Sequence, residues 1–392
     1  MSDKVSVVLV GISGYGSVYL REILSNNESA YLKGVVDISP TKSIFYSQII
    51  ANHIPIYTNL EEFYNKDKAD LAIISTPIHI HAQQACIAME NGSHVLCEKP
   101  AASSPIDLDK MILIRNSTNR LLAIGYNWSF AESVQQLKQD ILSNKFGRLL
   151  RMRSLVLWPR NADYFHRSDW AGKKYHMNGE LVLDSVANNA ASHFLHHLFY
   201  LAGETISTSA SIHQVCAELY KANPIETFDT CAVHILTSTN VEILFLASHA
   251  VEKDHGPKYK LEFENATIDY HPNKNGGNIT ATFVDGSIVE YEDPEKEHLA
   301  KFYHMIEAIQ QNYTDVVCGP EAASSQVVAI QAMHQSVEQI PQFPKHWLAI
   351  DSSRKLTIVQ GLQEVFQQCY TQFCLPNDIG TAWSEQGKMI QL

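Results

Sequence analysis

The first 127 residues alternate short apolar runs with amphipathic stretches, and this alternation constrains the fold more than any other feature. Such apolar runs are typical of strands in a parallel sheet, and the stretches between them predict helices that cover both faces of the sheet. The candidate strands are Val5–Val10, Leu32–Asp37, Ile54–Tyr57, Asp70–Ser75, His94–Cys97 and Leu121–Gly125. The candidate helices are Val18–Leu24, Thr41–Asn52, Ala82–Met89 and Leu108–Asn116. The pattern therefore predicts an α/β fold with a doubly wound parallel sheet.

The pattern changes after about residue 130, where strands follow one another with few helices. The candidate strands are Leu149–Trp158, Thr205–Val215, Asp229–Leu236, Glu242–His249, Lys258–Phe263, Ile279–Phe283 and Ile288–Tyr291. The candidate helices are Glu132–Ser143, Ala187–Leu201, His298–Gln311 and Ala322–Val337. We therefore expect two domains, a doubly wound domain at 1–127 and an α+β domain at 128–392 with a largely antiparallel open sheet.

Composition excludes some classes of function. The formal net charge of -12 argues against a nucleic-acid partner, which needs clustered lysine and arginine. The seven cysteines are scattered and odd in number, which favours buried thiols in a reducing compartment. The N-terminal apolar run Val5–Val10 is too short to span a membrane. We therefore expect a cytoplasmic protein without a membrane partner.

A glycine-rich turn follows the first strand, with the sequence Gly11-Ile12-Ser13-Gly14-Tyr15-Gly16. In a dinucleotide site the first glycine makes the tight turn, the second admits the pyrophosphate and the third allows the helix to pack closely. Gly11 and Gly16 fit the first and third places, whereas Ser13 takes the second and Gly14 follows it. The turn predicts a Rossmann dinucleotide site, although a turn of this kind is weak evidence by itself.

Asp37 closes the second candidate strand, 21 residues beyond Gly16. A carboxylate at this place accepts hydrogen bonds from the adenosine ribose and repels a 2′-phosphate, so it favours NAD over NADP. Lys42 lies close enough to leave NADP possible. The alternative is that Asp37 only caps the next helix through Ser39-Pro40.

Two further segments end strands at the edge where ligands bind in such sheets. Ser75-Thr76-Pro77-Ile78-His79-Ile80-His81 follows the fourth strand, and Glu98-Lys99-Pro100 follows the fifth. Together with the glycine turn, these segments resemble the glucose–fructose oxidoreductase and inositol dehydrogenase family, called Gfo/Idh/MocA. The resemblance is specific over residues 5–130 and extends more loosely to about residue 340.

This resemblance implies an NAD(P)-dependent dehydrogenase in which Lys99 lies beside the nicotinamide and the substrate. A lysine can orient the substrate hydroxyl, stabilise an alkoxide or accept a proton. Many relatives have a cis peptide before the residue that corresponds to Pro100. The predicted cofactor-binding residues are Gly11, Ile12, Ser13, Gly14, Tyr15, Gly16, Asp37, Ser75, Thr76, Pro77, His81, Glu98, Lys99, Asn127 and Trp170.

The second half of the sequence also resembles the family, but some of its residues differ from the family's pattern. Asp184 matches the aspartate of an Asp-x-x-x-His stretch that faces the substrate in relatives, but Asn188 occupies the histidine position. Asparagine can bind a hydroxyl but cannot accept a proton at physiological pH. Lys99 could therefore act alone, or His193, His176 or Tyr175 could replace the missing base, or the redox cycle could be weak or absent.

His193 and His197 lie four residues apart and would share one face of a helix, as zinc ligands do. No glutamate or clear third ligand accompanies them, so we expect no metal. His193 is five residues past Asn188, which turns it about 140° around a helix and places it poorly to replace the histidine.

The sequence therefore predicts an oxidoreductase that transfers a hydride between nicotinamide and a secondary alcohol or ketone of a sugar, an inositol or a sugar derivative. Lys99, Asp184, Asn188 and His193 are the candidate catalytic residues. The alternatives are an NAD-dependent glycosidase of the same fold and a non-catalytic dinucleotide-binding regulator. Relatives commonly form dimers or tetramers through the second-domain sheet, so the resemblance implies a homodimer or homotetramer.

Overall fold

The computed structural model describes residues 4–25 and 28–392, which form two compact units. The first unit extends to Phe130 and includes the later segment Leu299–Glu321. The second unit consists of Ala131–His298 and Ala322–Leu392. None of the helices in the described part of the chain is long and apolar enough to cross a membrane.

The strands are β1 (Val5–Val10), β2 (Ala30–Val36), β3 (Ile56–Tyr57), β4 (Leu71–Ile74), β5 (His94–Cys97), β6 (Leu122–Ile124), β7 (Leu149–Leu157), β8 (Ile212–Tyr220), β9 (Thr230–Thr237), β10 (Glu242–Ser248), β11 (His255–Phe263), β12 (Ala266–Tyr270), β13 (Ile279–Phe283), β14 (Ile288–Tyr291), β15 (Leu348–Asp351), β16 (Leu356–Val359) and β17 (Ile390–Gln391). The α-helices are α1 (Gly16–Leu24), α2 (Tyr46–Ala51), α3 (Leu60–Lys66), α4 (His81–Glu90), α5 (Pro105–Thr118), α6 (Glu132–Leu142), α7 (Ala162–Phe165), α8 (Ser192–Leu201), α9 (Ala300–Gln310), α10 (Pro320–Ser336) and α11 (Leu362–Gln372).

The first unit contains a six-stranded sheet in the order β3-β2-β1-β4-β5-β6, and every neighbouring pair is parallel. β1 and β4 are wholly buried because helices cover both faces of such a sheet. The strand order reverses between β1 and β4, and the carboxyl ends of these strands flank the crevice where ligands bind in this architecture. The predicted doubly wound α/β sheet is confirmed.

The segment Leu299–Glu321 returns to the first unit, which differs from the predicted division at residues 127 and 128. Its helix, α9, packs against β1 and β5. α9 packs there because its buried face has to be covered by an apolar surface. The residues of this face are Lys301, Phe302, Met305, Ile306 and Ala308.

The second unit contains a nine-stranded sheet in the order β14-β13-β12-β11-β7-β10-β9-β8-β17. Its strands pair antiparallel except for β7 and β10, which are parallel. The expected largely antiparallel sheet of an α+β domain is therefore confirmed. Asp285-Gly286 forms the turn between β13 and β14, where Gly286 has φ +85°.

An apolar cluster joins this sheet to the chain that follows β14. Leu155 on β7 and Leu244 on β10 belong to it, together with Phe366 on α11 and Trp383 near the C-terminus. α11 packs against β7 and β10. Part of one sheet face is thus covered by the chain's own C-terminal segment.

Several predicted elements differ from the observed ones. The predicted helix Thr41–Asn52 is a short 3-10 turn followed by α2, and the predicted strand Thr205–Val215 begins only at Ile212. The predicted helix Ala187–Leu201 begins at Ser192, because the chain before it forms turns. The sequence patterns did not predict α3, α7, α11, β12, β15, β16 or β17.

Candidate functional site

The glycine turn lies at the carboxyl end of β1 and has the close packing that its sequence predicts. A Cβ on Gly11, which has φ +81°, would lie 2.4 Å from the Ser75 carbonyl oxygen, and one on Gly16 would lie 1.9 Å from the Gly11 carbonyl oxygen. Gly14 has φ +54° and open space where its Cβ would be. Ser13 and Gly14 are exposed at the start of α1. The turn therefore fits a pyrophosphate near Ser13 and Gly14, at a helix N-terminus.

Asp37 connects the end of β2 to this turn. Its Oδ2 accepts a 3.0 Å hydrogen bond from the Ile12 backbone N–H, and its Oδ1 accepts one of 2.7 Å from the Ser39 N–H. The half-buried carboxylate thus makes two contacts. The one with Ser39 caps the chain that follows β2, and the one with Ile12 joins Asp37 to the glycine turn. Each carboxylate oxygen has a further lone pair, which leaves Asp37 able to accept a ribose hydroxyl.

The segment after β4 is fixed by His81, the first residue of α4. His81 is buried, and its Nδ1 and Nε2 lie 2.8 Å and 2.7 Å from the carbonyl oxygens of Pro100 and Thr76. Burial lowers the pKa of His81, despite these carbonyl contacts. The Thr76 hydroxyl donates to Gln84 Oε1 at 2.6 Å. His81 therefore ties the Thr76-Pro77 segment to the loop after β5 and has no ring nitrogen directed elsewhere.

Glu98 and Lys99 follow β5, and the peptide between Lys99 and Pro100 is cis. Glu98 is buried, and its Oε1 accepts hydrogen bonds from Tyr19 Oη at 2.6 Å and Lys301 Nζ at 2.5 Å. The Lys99 backbone N–H donates to Glu98 Oε2 at 3.3 Å. Lys99 itself is half-buried. The Glu98 side chain is thus directed into the protein and fixes the backbone from which Lys99 projects.

Lys301, on α9, is a functional candidate that the motif search missed. Its ammonium is fully buried, also donates to the Gly125 carbonyl oxygen at 3.1 Å and lies 4.5 Å from the centre of the Tyr15 ring. Burial by itself would raise the pKa of Glu98, but Lys301 and the hydrogen bonds hold it below its usual value. Lys301 thereby links the glycine turn, the end of β5 and the end of β6.

Asn127 and Trp128 come directly after β6 in a short 3-10 turn, and both are buried in the first unit. All the predicted dinucleotide residues except Trp170 therefore belong to this unit. Most of them follow the carboxyl ends of β1, β2, β4, β5 and β6.

In the second unit, Asp184 is buried and its carboxylate has three donors. The Gly172 backbone N–H and Asn189 Nδ2 each lie 2.7 Å from a carboxylate oxygen, and Arg167 Nη2 lies 3.1 Å from Oδ2. The Arg167 guanidinium stacks 4.0 Å from the centre of the Tyr164 ring and 4.8 Å from that of Trp170. Asp184 therefore organises the loop that contains Trp170, whose side chain is half-buried.

Asn188 lies in the turns before α8, so the helical geometry used to relate it to His193 does not apply. Its amide is buried and bound by protein groups on both sides. Nδ2 donates to the carbonyl oxygens of Leu183 at 3.1 Å and Val182 at 3.4 Å, and Oδ1 accepts from Gln326 Nε2 at 3.1 Å. The residue at the family's histidine position therefore holds the turn together.

The other candidate bases have different environments. His193 is half-buried on α8, whereas burial lowers the pKa of His197 to about 3. His176 Nε2 lies 3.4 Å from Asp169 Oδ2, and Tyr175 is exposed. Neutral His197 packs against the Tyr259 ring and is a core residue.

A family model described as "Oxidoreductase family, NAD-binding Rossmann fold", Gfo/Idh/MocA, matches residues 5–126. The resemblance to the Gfo/Idh/MocA family is therefore confirmed for the segment 5–126. The predicted cofactor, NAD with NADP possible, is thereby confirmed for this family domain.

Two curated relatives are each 28% identical to the chain. The 2,7-anhydro-N-acetylneuraminate hydratase of Mediterraneibacter gnavus aligns over 152 residues, which are 38% of this chain and 39% of that protein. The glucose-6-phosphate 3-dehydrogenase of Bacillus subtilis aligns over 149 residues, 37% of this chain and 41% of that protein. The aligned part thus spans about two fifths of the length of these two relatives.

Solved structures match over more of the chain. The WlbA dehydrogenase of Bordetella pertussis, in complex with NADH and UDP-GlcNAcA, has a TM-score of 0.69 at 19% identity. A levoglucosan dehydrogenase in complex with NADH has a TM-score of 0.70 at 16% identity. Each match covers 86% of this chain and 97% of the solved one. These similarities show that the fold of both units is shared.

Proposed function

We propose that this protein is an NAD(P)-dependent oxidoreductase acting on CH–OH groups. It transfers a hydride between nicotinamide and a secondary alcohol or ketone of a sugar, an inositol or a sugar derivative. The observation that supports this most is Lys99, which projects from a backbone held by buried Glu98 at the carboxyl edge of a family NAD-binding domain. The similar proteins described above include a glucose-6-phosphate 3-dehydrogenase and a levoglucosan dehydrogenase.

In this proposal the bound nicotinamide supplies the hydride chemistry, and Lys99 handles the proton. A lysine ammonium can donate to a carbonyl oxygen as it becomes a hydroxyl, and the neutral amine can accept the proton in the reverse direction. Glu98 serves Lys99 as a positioning residue, because its carboxylate already has the buried partners Tyr19 and Lys301. His81 has the same kind of role for the Thr76-Pro77 segment.

Asp184 and Asn188 are proposed as positioning residues of the substrate loop. Asp184 has three donors, and the amide of Asn188 has protein partners for both its nitrogen and its oxygen. Neither is therefore well placed to exchange a proton with a substrate. His193 is the second candidate for proton transfer, since its side chain is half-buried.

The experiment is to incubate the purified protein with NAD or NADP and a panel of polyols and sugars while following the absorbance of reduced nicotinamide. We expect reduction with at least one polyhydroxylated substrate. Lys99→Ala should lower kcat by about 100-fold or more, the usual contribution of a general acid–base group. Lys110→Ala, which alters an exposed lysine on α5, is the matched control. Full activity in Lys99→Ala would contradict the proposed mechanism.

A reaction without net redox change is the second candidate, because one of the relatives is named as a hydratase and position 188 lacks a proton acceptor. An NAD-dependent glycosidase of the same fold would hydrolyse a glycoside, and the assay with polyols and sugars would then show no net reduction of NAD. A regulator would bind dinucleotide and turn over neither class of substrate.

We also propose a cytoplasmic homodimer or homotetramer. Sedimentation of the purified protein tests this oligomeric state.

A further inference from the structure

A cavity of about 740 Å³ lies in the second unit, among β11, β12, β13, β14 and the C-terminal part of α11. It is separate from the residues assigned above to substrate and cofactor. Four basic side chains line it, together with two carboxylates and three tyrosine rings. The basic residues are His255, Lys258, His271 and Lys274, and the acidic ones are Asp269 and Glu290.

Neither lysine of this cavity has an ionic partner among the described residues. Lys258 Nζ donates to the neutral amide oxygen Gln367 Oε1 at 2.7 Å, and the same oxygen lies 3.1 Å from His255 Nε2. The Tyr370 ring centre lies 4.4 Å from the Lys258 ammonium. Within residues 4–25 and 28–392, no carboxylate lies within 4.0 Å of the ammonium of Lys258 or Lys274.

The two carboxylates of the cavity are directed to other partners. Glu290 accepts hydrogen bonds from Asn275 Nδ2 at 2.8 Å and Asn278 Nδ2 at 3.4 Å. Asp269 lies 3.8 Å from the ammonium of Lys260, which does not line the cavity. The lysines and histidines therefore form a cationic cluster within a mixed polar lining.

The cationic groups of the cluster repel one another. Burial, followed by the nearby charges of Lys274 and Arg153, lowers the pKa of Lys258 to about 8. The guanidinium of Arg153 is already paired with Glu262. Burial and then Lys274 and His255 lower the pKa of His271. A bound anion would offset these repulsions and would restore the charged form of each group.

We propose that this cavity binds the phosphate group of a small ligand, with Lys258 and Lys274 pairing with its charge and His255 and His271 donating hydrogen bonds. A phosphate dianion offers several acceptor oxygens to such a set of donors. The hydroxyl of Thr280 and the ring of Tyr370 lie beside the cluster and suit the polyol part of a phosphorylated sugar. The site does not depend on the function proposed for the first unit.

The experiment is calorimetric titration of the whole protein with inorganic phosphate and, separately, with a hexose phosphate. Measurements at pH 8 in two buffers that differ in ionisation enthalpy give the number of protons taken up. An anion raises the pKa of Lys258, so binding at pH 8 should take up about half a proton by that residue alone. We expect Lys258→Met to weaken binding at least tenfold and to reduce this proton uptake.

Two further variants provide a control and an independent test of the cavity. Lys345→Met removes an exposed lysine of the same unit that does not line the cavity, and it should change neither affinity nor proton uptake. Lys274→Met removes an exposed lysine and should also weaken binding, even if Lys258→Met does not fold.

The two ligands distinguish the sources of the phosphate group. Tighter binding of the hexose phosphate supports a phosphorylated sugar, whereas equal affinity supports free phosphate. The absence of binding at tens of millimolar, or binding that neither lysine variant weakens, overturns the proposal. Phosphate that binds only elsewhere, for example at the glycine turn, would bind equally to both variants, and this result would also overturn the proposal.

Discussion

Glu98 is a carboxylate in a buried place, where an ion without partners would be strongly unfavourable. Tyr19 and Lys301 both bind its Oε1, and the Lys301 ammonium is itself fully buried. Gly125 faces this pair, and a Cβ there would lie 3.0 Å from the carboxylate. Glycine directly after β6 therefore leaves room for the ion pair between Glu98 and Lys301.

Removal of one member of this pair should destabilise the protein. Lys301→Met leaves Glu98 buried without its cation, and a broken buried pair usually costs about 3–5 kcal/mol. Glu98→Gln leaves the lysine without its anion and should have a similar cost. We expect the double variant to lose less than the sum of the two, as measured by urea unfolding.

The control for these variants is Lys110→Met, which alters an exposed lysine of the same unit and should change the free energy of unfolding by less than about 0.5 kcal/mol. Additive losses in the double variant would show that Glu98 and Lys301 do not stabilise each other.

The sequence predicted Glu98 from a local motif but did not predict Lys301, which lies 203 residues further along the chain. The available signal was a lysine on the apolar face of the predicted helix His298–Gln311, next to Phe302 and in line with Met305. A motif search finds residues by spacing, whereas this partner is brought to the site by tertiary packing.

At the scale of elements, the turn before α8 replaces a helix that the sequence predicted. Ala187, Ala190 and Ala191 favour a helix by propensity. The observed turn follows Leu183, which has φ +52°, and Asn188 binds the carbonyl oxygens there. Gln326, on α10, completes the hydrogen bonds of the Asn188 amide. The start of α8 therefore depends on Gln326, which is distant in the sequence, and a local sequence pattern cannot predict such a contact.

This turn gives a second prediction. Asn188→Ala removes the buried donor to Leu183 and the acceptor of Gln326, which should lower the free energy of unfolding by about 1–3 kcal/mol. Asn188→Asp should cost more, because a carboxylate oxygen would then face the carbonyl oxygens of Leu183 and Val182. Thermal and urea unfolding measure both variants. Equal stability of the two would mean that the amide nitrogen makes no net contribution.

For the whole molecule, the sequence predicted the two architectures because each has its own periodicity, alternating helices and strands in one and successive strands in the other. It did not predict that α9 returns to the first unit. Periodicity identifies an amphipathic helix but does not identify the surface that covers its apolar face. The division at residue 127 therefore followed the order of the chain rather than its packing.

Both units contain histidines that burial keeps neutral. The pKa of His94 in the first unit is lowered to about 4 by burial and then by Arg120. In the second unit burial lowers the pKa of His197 and His249 to about 3, and that of His334 to about 4. The ordinary value for an unfolded chain is about 6.5. Each of these groups therefore binds its proton more weakly in the folded protein.

This difference predicts a loss of stability in weak acid. Because the folded pKa values lie below the unfolded value, their contribution is complete above about pH 6.5 and is lost as the pH falls towards 4 and 3. Each histidine contributes a slope of up to about 1.4 kcal/mol per pH unit in that window. Urea midpoints should change little from pH 7.5 to about pH 6.5 and should fall from there to pH 5. His197→Phe, which retains a ring against Tyr259, should reduce the slope by one histidine's share, and an unchanged slope would show that His197 titrates normally in the folded protein.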